Sequence, residues 1–105
     1  MSSSPPVRDL QLRVDEFIKK HGGYWSPLSM LAALIEEVGE LAKEINLMEI
    51  SKSGKSELSH NIAIELGDVF FALICIANYF NVDLASSLNL TINKYVSRDY
   101  NSTKP

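Results

Sequence analysis

Two short acidic phrases hold the residue types most able to do chemistry: Glu36-Glu37-Val38-Gly39-Glu40 and Glu65-Leu66-Gly67-Asp68. They nearly repeat one another, running acid, apolar, glycine, acid, apolar from Glu37 to Leu41 and again from Glu65 to Val69. Each sets two carboxylates three residues apart, which makes them neighbours on one face of a helix. Such a pair is a two-oxygen claw. Two claws facing each other form a carboxylate cage, the oxygen donor set that hard divalent cations such as magnesium prefer.

The residues after the second claw decide how the acids are read. Glutamates on a helix are commonly a solvated face, and Glu36, Glu37, Glu40 and Glu44 fit that description when taken alone. However, Asp68 is followed by Val69, Phe70, Phe71, Ala72, Leu73, Ile74, Cys75, Ile76 and Ala77 without a polar interruption. A helix that is apolar all round is a buried helix. Glu65 and Asp68 therefore stand at the mouth of a buried element, where an unpaired ionised carboxylate costs several kcal/mol or more. No lysine or arginine lies between Lys55 and Lys94. One account neutralises the acids with a divalent cation held between the claws. The other pairs Glu65 and Asp68 with Lys94 or Arg98. Gly39 and Gly67, each beside a claw acid, suit a close approach of backbone or ligand, or simple relief of helix crowding.

A di-iron site is disfavoured. That design uses Glu-x-x-His on two helices, and only Glu57-Leu58-Ser59-His60 has the spacing; Ile18 stands three residues before His21. An all-oxygen site for magnesium, with manganese as the alternative, fits the donors better.

The elements that must position these acids are helices. Val7, Leu10, Val14, Phe17 and Ile18 follow three–four spacing, so a helix is expected from Val7. The pair Gly22-Gly23 should end it. Ser26-Pro27 is a start signal, a capping serine before a proline at the first helical position. A second helix is expected over residues 27–48, with Leu31, Leu34, Ile35, Val38, Leu41, Ala42 and Ile45 as its apolar stripe. Residues 51–56 read as a loop carrying Lys52 and Lys55. A third helix is expected from Ser56 or Glu57 to about Phe80, and a fourth, capped by Asp83, over residues 84–98. Residues 1–6 and 101–105 read as flexible tails. The expectation is an all-α, four-helix bundle-like subunit in one domain of 105 residues, oligomeric through its apolar third helix.

Composition narrows the function classes. Apolar residues make up 46% of the chain and the net charge is −3, which argues against a nucleic-acid polymer as partner. The single cysteine, Cys75, rules out a disulfide framework within one chain and suits a reducing interior. The longest apolar run, residues 69–77, is far short of a membrane span, and residues 1–6 lack the apolar core of a signal peptide. A cytoplasmic location without membrane association is expected.

Glu36-Glu37-x-x-Glu40, a spacer, then Glu65-x-x-Asp68 resembles the motif of the MazG-like, all-alpha nucleoside triphosphate pyrophosphohydrolases. The likeness runs from about Trp25 to Arg98 and takes in Val82-Asp83 and the ending Asn93-Lys94-Tyr95 with Arg98. The resemblance implies a homodimer or a dimer-of-dimers tetramer. It also implies Mg²⁺-dependent hydrolysis of a nucleoside triphosphate to the monophosphate and pyrophosphate. By that resemblance Glu37, Glu40, Glu65 and Asp68 match metal ligands, and Glu36 matches a glutamate that holds a further metal or the attacking water. Lys94 and Arg98 match basic residues that meet phosphates, and Trp25 an aromatic near the base. Cys75 departs from the pattern, standing where many relatives carry Asn, so base and sugar preference do not carry over.

Metal-activated water attacking the α phosphorus would need a carboxylate base, with Glu36 and Glu37 both eligible. Lys94 and Arg98 would stabilise the leaving pyrophosphate. Tyr24 and Trp25 could stack a base, or plug the start of the second helix. The contrasting reading is a non-catalytic helical dimerisation module whose acids are structural.

Overall fold

The structure, a computed structural model, describes residues 4–51 and 55–103. They form α1 (Val7–Lys20), α2 (Pro27–Ile50), α3 (Lys55–Tyr79) and α4 (Leu84–Thr103), with no strand among them.

The turn chemistry acts where the sequence places it. Gly22 has φ +103°, and the Gly23 N–H reaches back to the Ile18 carbonyl at 2.9 Å, the left-handed closure that ends α1. Ser26 accepts from the Ser29 N–H at 3.3 Å and Pro27 opens α2. Asn81, at φ +57°, closes α3 in the same way as Gly22 closes α1, with Val82 N–H on the Ala77 carbonyl at 2.8 Å. Asparagine tolerates this backbone better than most side chains. Asp83 then caps α4 through the Ser86 N–H and hydroxyl, at 3.2 and 2.6 Å.

Two bounds differ from expectation. Lys55 is already in α3, whereas Lys52 lies outside the described residues. Helix α4 runs to Thr103, so residues 101–103 are helical rather than a tail; no glycine or proline interrupts the chain between Asp83 and Pro105.

Helices α2 and α3 pack as a long hairpin; α1 lies on α3, and α4 packs on α1 alone to any extent. The arrangement is open. The radius of gyration is 17.2 Å, against about 13 Å for a compact chain of this length. The accessible surface is 8178 Å², against about 5,900 Å² for a compact monomer of this mass.

The apolar run of α3 is only partly covered within one chain. Ala72, Ile74, Cys75 and Ala77 are buried, while Phe70, Phe71 and Leu73 remain 37–40% exposed. The expected all-round burial is absent because α1 and α2 cover two sides of a helix that is apolar on every side. By length and composition, Glu57–Tyr79 would also pass for a membrane span, with mean hydropathy 1.7. Glu65 and Asp68 in its middle weigh against lipid, and one side of it packs along α2.

Candidate active site

The hairpin turns Glu37, Glu44 and Glu65 inward. On α2 the residues at least half-buried are Pro27, Met30, Ala33, Leu34, Glu37, Leu41, Glu44 and Met48, a three–four series that forms one seam. The stripe read from the sequence is split by this. Leu34 and Leu41 face the seam, but Leu31, Ile35, Val38 and Ile45 are 45–62% exposed. On α3 the matching series is Leu58, Ile62, Glu65, Val69, Ala72 and Ile76. Glu37 and Glu65 thus occupy positions where each helix otherwise puts apolar residues.

Glu37, Glu65 and Asp68 each offer a carboxylate oxygen within 4.8 Å of the other two. Glu37 and Glu65 are half-buried and Asp68 is exposed, so the group opens to solvent at one side. Partial burial, and then the like charges of Asp68, Glu37, Glu40 and Glu44, hold the Glu65 pKa above the ordinary carboxylate range. No lysine or arginine relieves them: among the described residues the one ion pair is Lys19 with Asp15, at 2.9 Å. Within one chain, among the described residues, neither Lys94 nor Arg98 pairs with Glu65 or Asp68.

Glu40, exposed one turn beyond Glu37, adds to the field at Glu65 without joining the converging three. Glu36 is exposed on the adjoining face of α2. Lys94 and Arg98 are exposed on α4, their cations 5.2 and 5.6 Å from the Tyr95 ring centre. Glu44, grouped from the sequence with Glu36, Glu37 and Glu40 on the polar face of α2 but not assigned as a ligand, has its Oε2 buried without a hydrogen-bond partner. It stands seven residues from Glu37, two turns along the same seam, a spacing that could have marked it.

A cavity of about 460 Å³ opens beside the acids, its wall including Tyr24, Trp25, Phe71, Cys75, Glu37 and Asp68. Trp25 is 66% exposed, a ring free to meet a ligand. Tyr24 is anchored: its hydroxyl donates to Asp15 at 2.6 Å, and burial with that bond pushes its pKa up to about 12. Burial likewise raises the Cys75 thiol, which suits a wall and not a nucleophile. His21, the residue that follows α1, also lines the cavity. Its Nδ1 lies 2.7 Å from the Phe17 carbonyl, which only accepts, so Nδ1 carries the proton and leaves Nε2 a lone pair when the ring is neutral. Gly39 and Gly67 make no close approach within the chain, since a Cβ at either would meet nothing within 4 Å. His60 is exposed on α3.

Comparison with known proteins identifies the family and the fold. Residues 25–103 match the MazG nucleotide pyrophosphohydrolase domain. The Bacillus subtilis (strain 168) protein YpjD is 38% identical over 99 residues, spanning 92% of this chain and 89% of its own. The crystal structure of a Bacillus-conserved MazG protein, described as a nucleotide pyrophosphohydrolase, superposes with TM-score 0.76. It is 39% identical, over 90% of this chain and 93% of that one. The solved structure of B. subtilis YPJD superposes with TM-score 0.74 at 35% identity, over 89% of this chain and 96% of that one. The chain belongs to the MazG nucleotide pyrophosphohydrolase family.

Proposed function

We propose that this nucleotide pyrophosphohydrolase converts a nucleoside triphosphate and water to the monophosphate and pyrophosphate, with Mg²⁺ held by the α2–α3 acids. The observation that carries this reading is the convergence of three unpaired carboxylates within 4.8 Å at the edge of an aromatic-walled cavity. The donor set fits a hard cation. It is all oxygen, it lacks a paired base, and a fourth carboxylate oxygen, on Glu44, is buried nearby without a partner.

Glu37, Glu65 and Asp68 would hold the metal, with Glu40 completing the donor set; Mn²⁺ would suit the same oxygens. When bound, the ion supplies charge neutralisation at the phosphates and a lowered pKa for water. The chain's own residues do the rest. Trp25 and the Tyr24 wall hold the base in the cavity. Glu36, on the adjoining face, takes a proton from the attacking water; Glu37 is the alternative base. The water oxygen bonds to the α phosphorus, the bond to the bridging α–β oxygen breaks, and pyrophosphate leaves. Lys94 and Arg98 meet the charge that gathers on the leaving group.

The working form we propose is a homodimer or a dimer of such dimers, acting on free nucleotide in the cytoplasm without membrane or nucleic-acid partner. The surface in excess of a compact monomer is about 2,300 Å², the scale of an obligate interface.

The test is a panel of ribo- and deoxynucleoside triphosphates with Mg²⁺, the products resolved by anion exchange. Monophosphate plus pyrophosphate is expected, with both lost in Asp68→Asn. Diphosphate plus phosphate would overturn the proposed bond.

A further inference from the structure

The cavity beside the acids is bounded on one side by the link between α1 and α2, residues 21–26, with Gly23, Tyr24 and Trp25 in its wall. Little fixes that link from within. Helix α1 packs on α3 and α4, and no comparable packing joins it to α2. Gly22 and Gly23 sit at φ +103° and +89°, a backbone open to glycine, and they carry no side chain that could hold it. Trp25 is 66% exposed, and its side chain makes no hydrogen bond or ring contact among the described residues.

Beyond the glycine pair, Tyr24 is the first residue whose side chain ties the link to the helices. Its ring stands edge-on to Tyr79 of α3, with centroids 6.5 Å apart and planes at 79°. Its hydroxyl donates to one oxygen of Asp15, on α1, at 2.6 Å. Lys19 holds the other Asp15 oxygen at 2.9 Å. The acceptor is thus itself fixed, and a bond to a carboxylate is among the stronger hydrogen bonds. Asp15 is not in the cavity wall. It lines a second hollow of about 520 Å³, and Tyr24 belongs to both walls. The tyrosine therefore carries the position of Asp15 through to the cavity. The backbone carries it on to Trp25, whose Cα lies only about 3.8 Å from that of Tyr24.

We propose that Asp15 is a positioning residue for the nucleotide: through its bond to the Tyr24 hydroxyl it fixes the α1–α2 link and holds the Trp25 ring where the base is received. This rests on the reading of Trp25 as a ring that meets the base, and adds that its place is set from outside the cavity. With the bond made, the link is ordered before nucleotide arrives. Without it, binding must also order the link, so affinity falls while the acids and their chemistry are untouched.

Trp25 is the single tryptophan of the chain, so the decay of tryptophan fluorescence anisotropy reads this link alone. Tyr24→Phe keeps the ring and loses the donor; Asp15→Ala loses the acceptor. Each should widen the local motion of Trp25 and raise KM for a nucleoside triphosphate roughly fivefold. Turnover at saturation should stay within about twofold, and inhibition by Mg²⁺–pyrophosphate, which has no base, should not change. The double variant should be no worse than either single one, because the same contact is lost in all three. Asp15→Asn, whose amide oxygen still accepts from the tyrosine, should stay within about twofold of wild type. Unmoved anisotropy and KM in Tyr24→Phe would overturn the inference, as would additive effects in the double variant. So would a loss of kcat and of pyrophosphate inhibition, since a base-side role leaves both alone. Trp25→Ala separates the two layers. If its KM equals that of wild type, the base does not meet the ring and both readings fall; if KM rises there but not in Tyr24→Phe, only the positioning role falls.

Discussion

The corner where α1 meets the α3–α4 turn and the seam between α2 and α3 are built from similar polar groups and treat them oppositely. At the corner every group is answered. Gln11, the one polar residue buried in the described chain, donates to Asn78 Oδ1 at 3.1 Å and to the Val82 carbonyl at 2.9 Å. It accepts from the Leu84 N–H at 2.9 Å, and Asn78 donates back to the Gln11 carbonyl at 2.9 Å. Nearby, Asp15 and Asp83 have lowered pKa values, held down mainly by hydrogen bonds from Tyr24 and Ser86 respectively. At the seam nothing is answered: Glu65 is raised by burial and by like charges, and Glu44 leaves an oxygen bare. A marginally stable fold keeps such frustration where the groups serve a ligand.

Substitutions at the two places should therefore act in opposite ways. Glu65→Gln should lower turnover by on the order of 100-fold or more, with the apo melting temperature unchanged or raised, as kinetics and a thermal melt would show. A fall in melting temperature would break the contrast. Gln11→Ala should cost about 2–3 kcal/mol in urea unfolding, because it orphans the Leu84 N–H and the partners around it. Trp25→Ala should raise KM roughly tenfold through lost stacking and leave the melt nearly unmoved, since the ring is mostly exposed.

A smaller effect follows from pH. Glu65 lies above its unfolded value, so through that range the folded chain binds more protons than the unfolded one, and apo stability falls as pH rises. Asp15 and Asp83 lie below theirs, so their contribution is full above the unfolded pKa and is lost as pH falls through the folded value. The stabilisation by Mg²⁺ should accordingly shrink as pH falls from about 7 into the carboxylate range near 4–5, where protons compete for Glu65. Melting curves with and without the ion at each pH would show it. A Mg²⁺ effect independent of pH would place the ion elsewhere.

Much of this was legible in the sequence because it is written locally. Paired glycines, Ser26-Pro27 and Asp83 act over a few residues, and each cap formed as expected. The acid motif was legible through its spacing. What was not legible is which face of α2 turns inward. Apolarity points to the side bearing Leu31, Ile35 and Val38, but α3 packs on the side bearing Glu37 and Glu44. An apolar stripe shows that a face seeks cover, not whether the same chain provides it. For the same reason the sequence places Lys94 and Arg98 on a helix but does not show what that helix lies against; α4 packs on α1 through long-range contacts that no local pattern encodes.

The most direct test of the central claim, that the unanswered acids are a cation site, is a Mg²⁺ titration of the melting temperature for wild type and Asp68→Asn. Wild type should gain stability with millimolar Mg²⁺, whereas Asp68→Asn should start at or above the wild-type apo value and gain little. A wild type that does not respond to the ion, with an Asp68→Asn variant that melts lower, would mean the acids hold the fold together and would contradict the account.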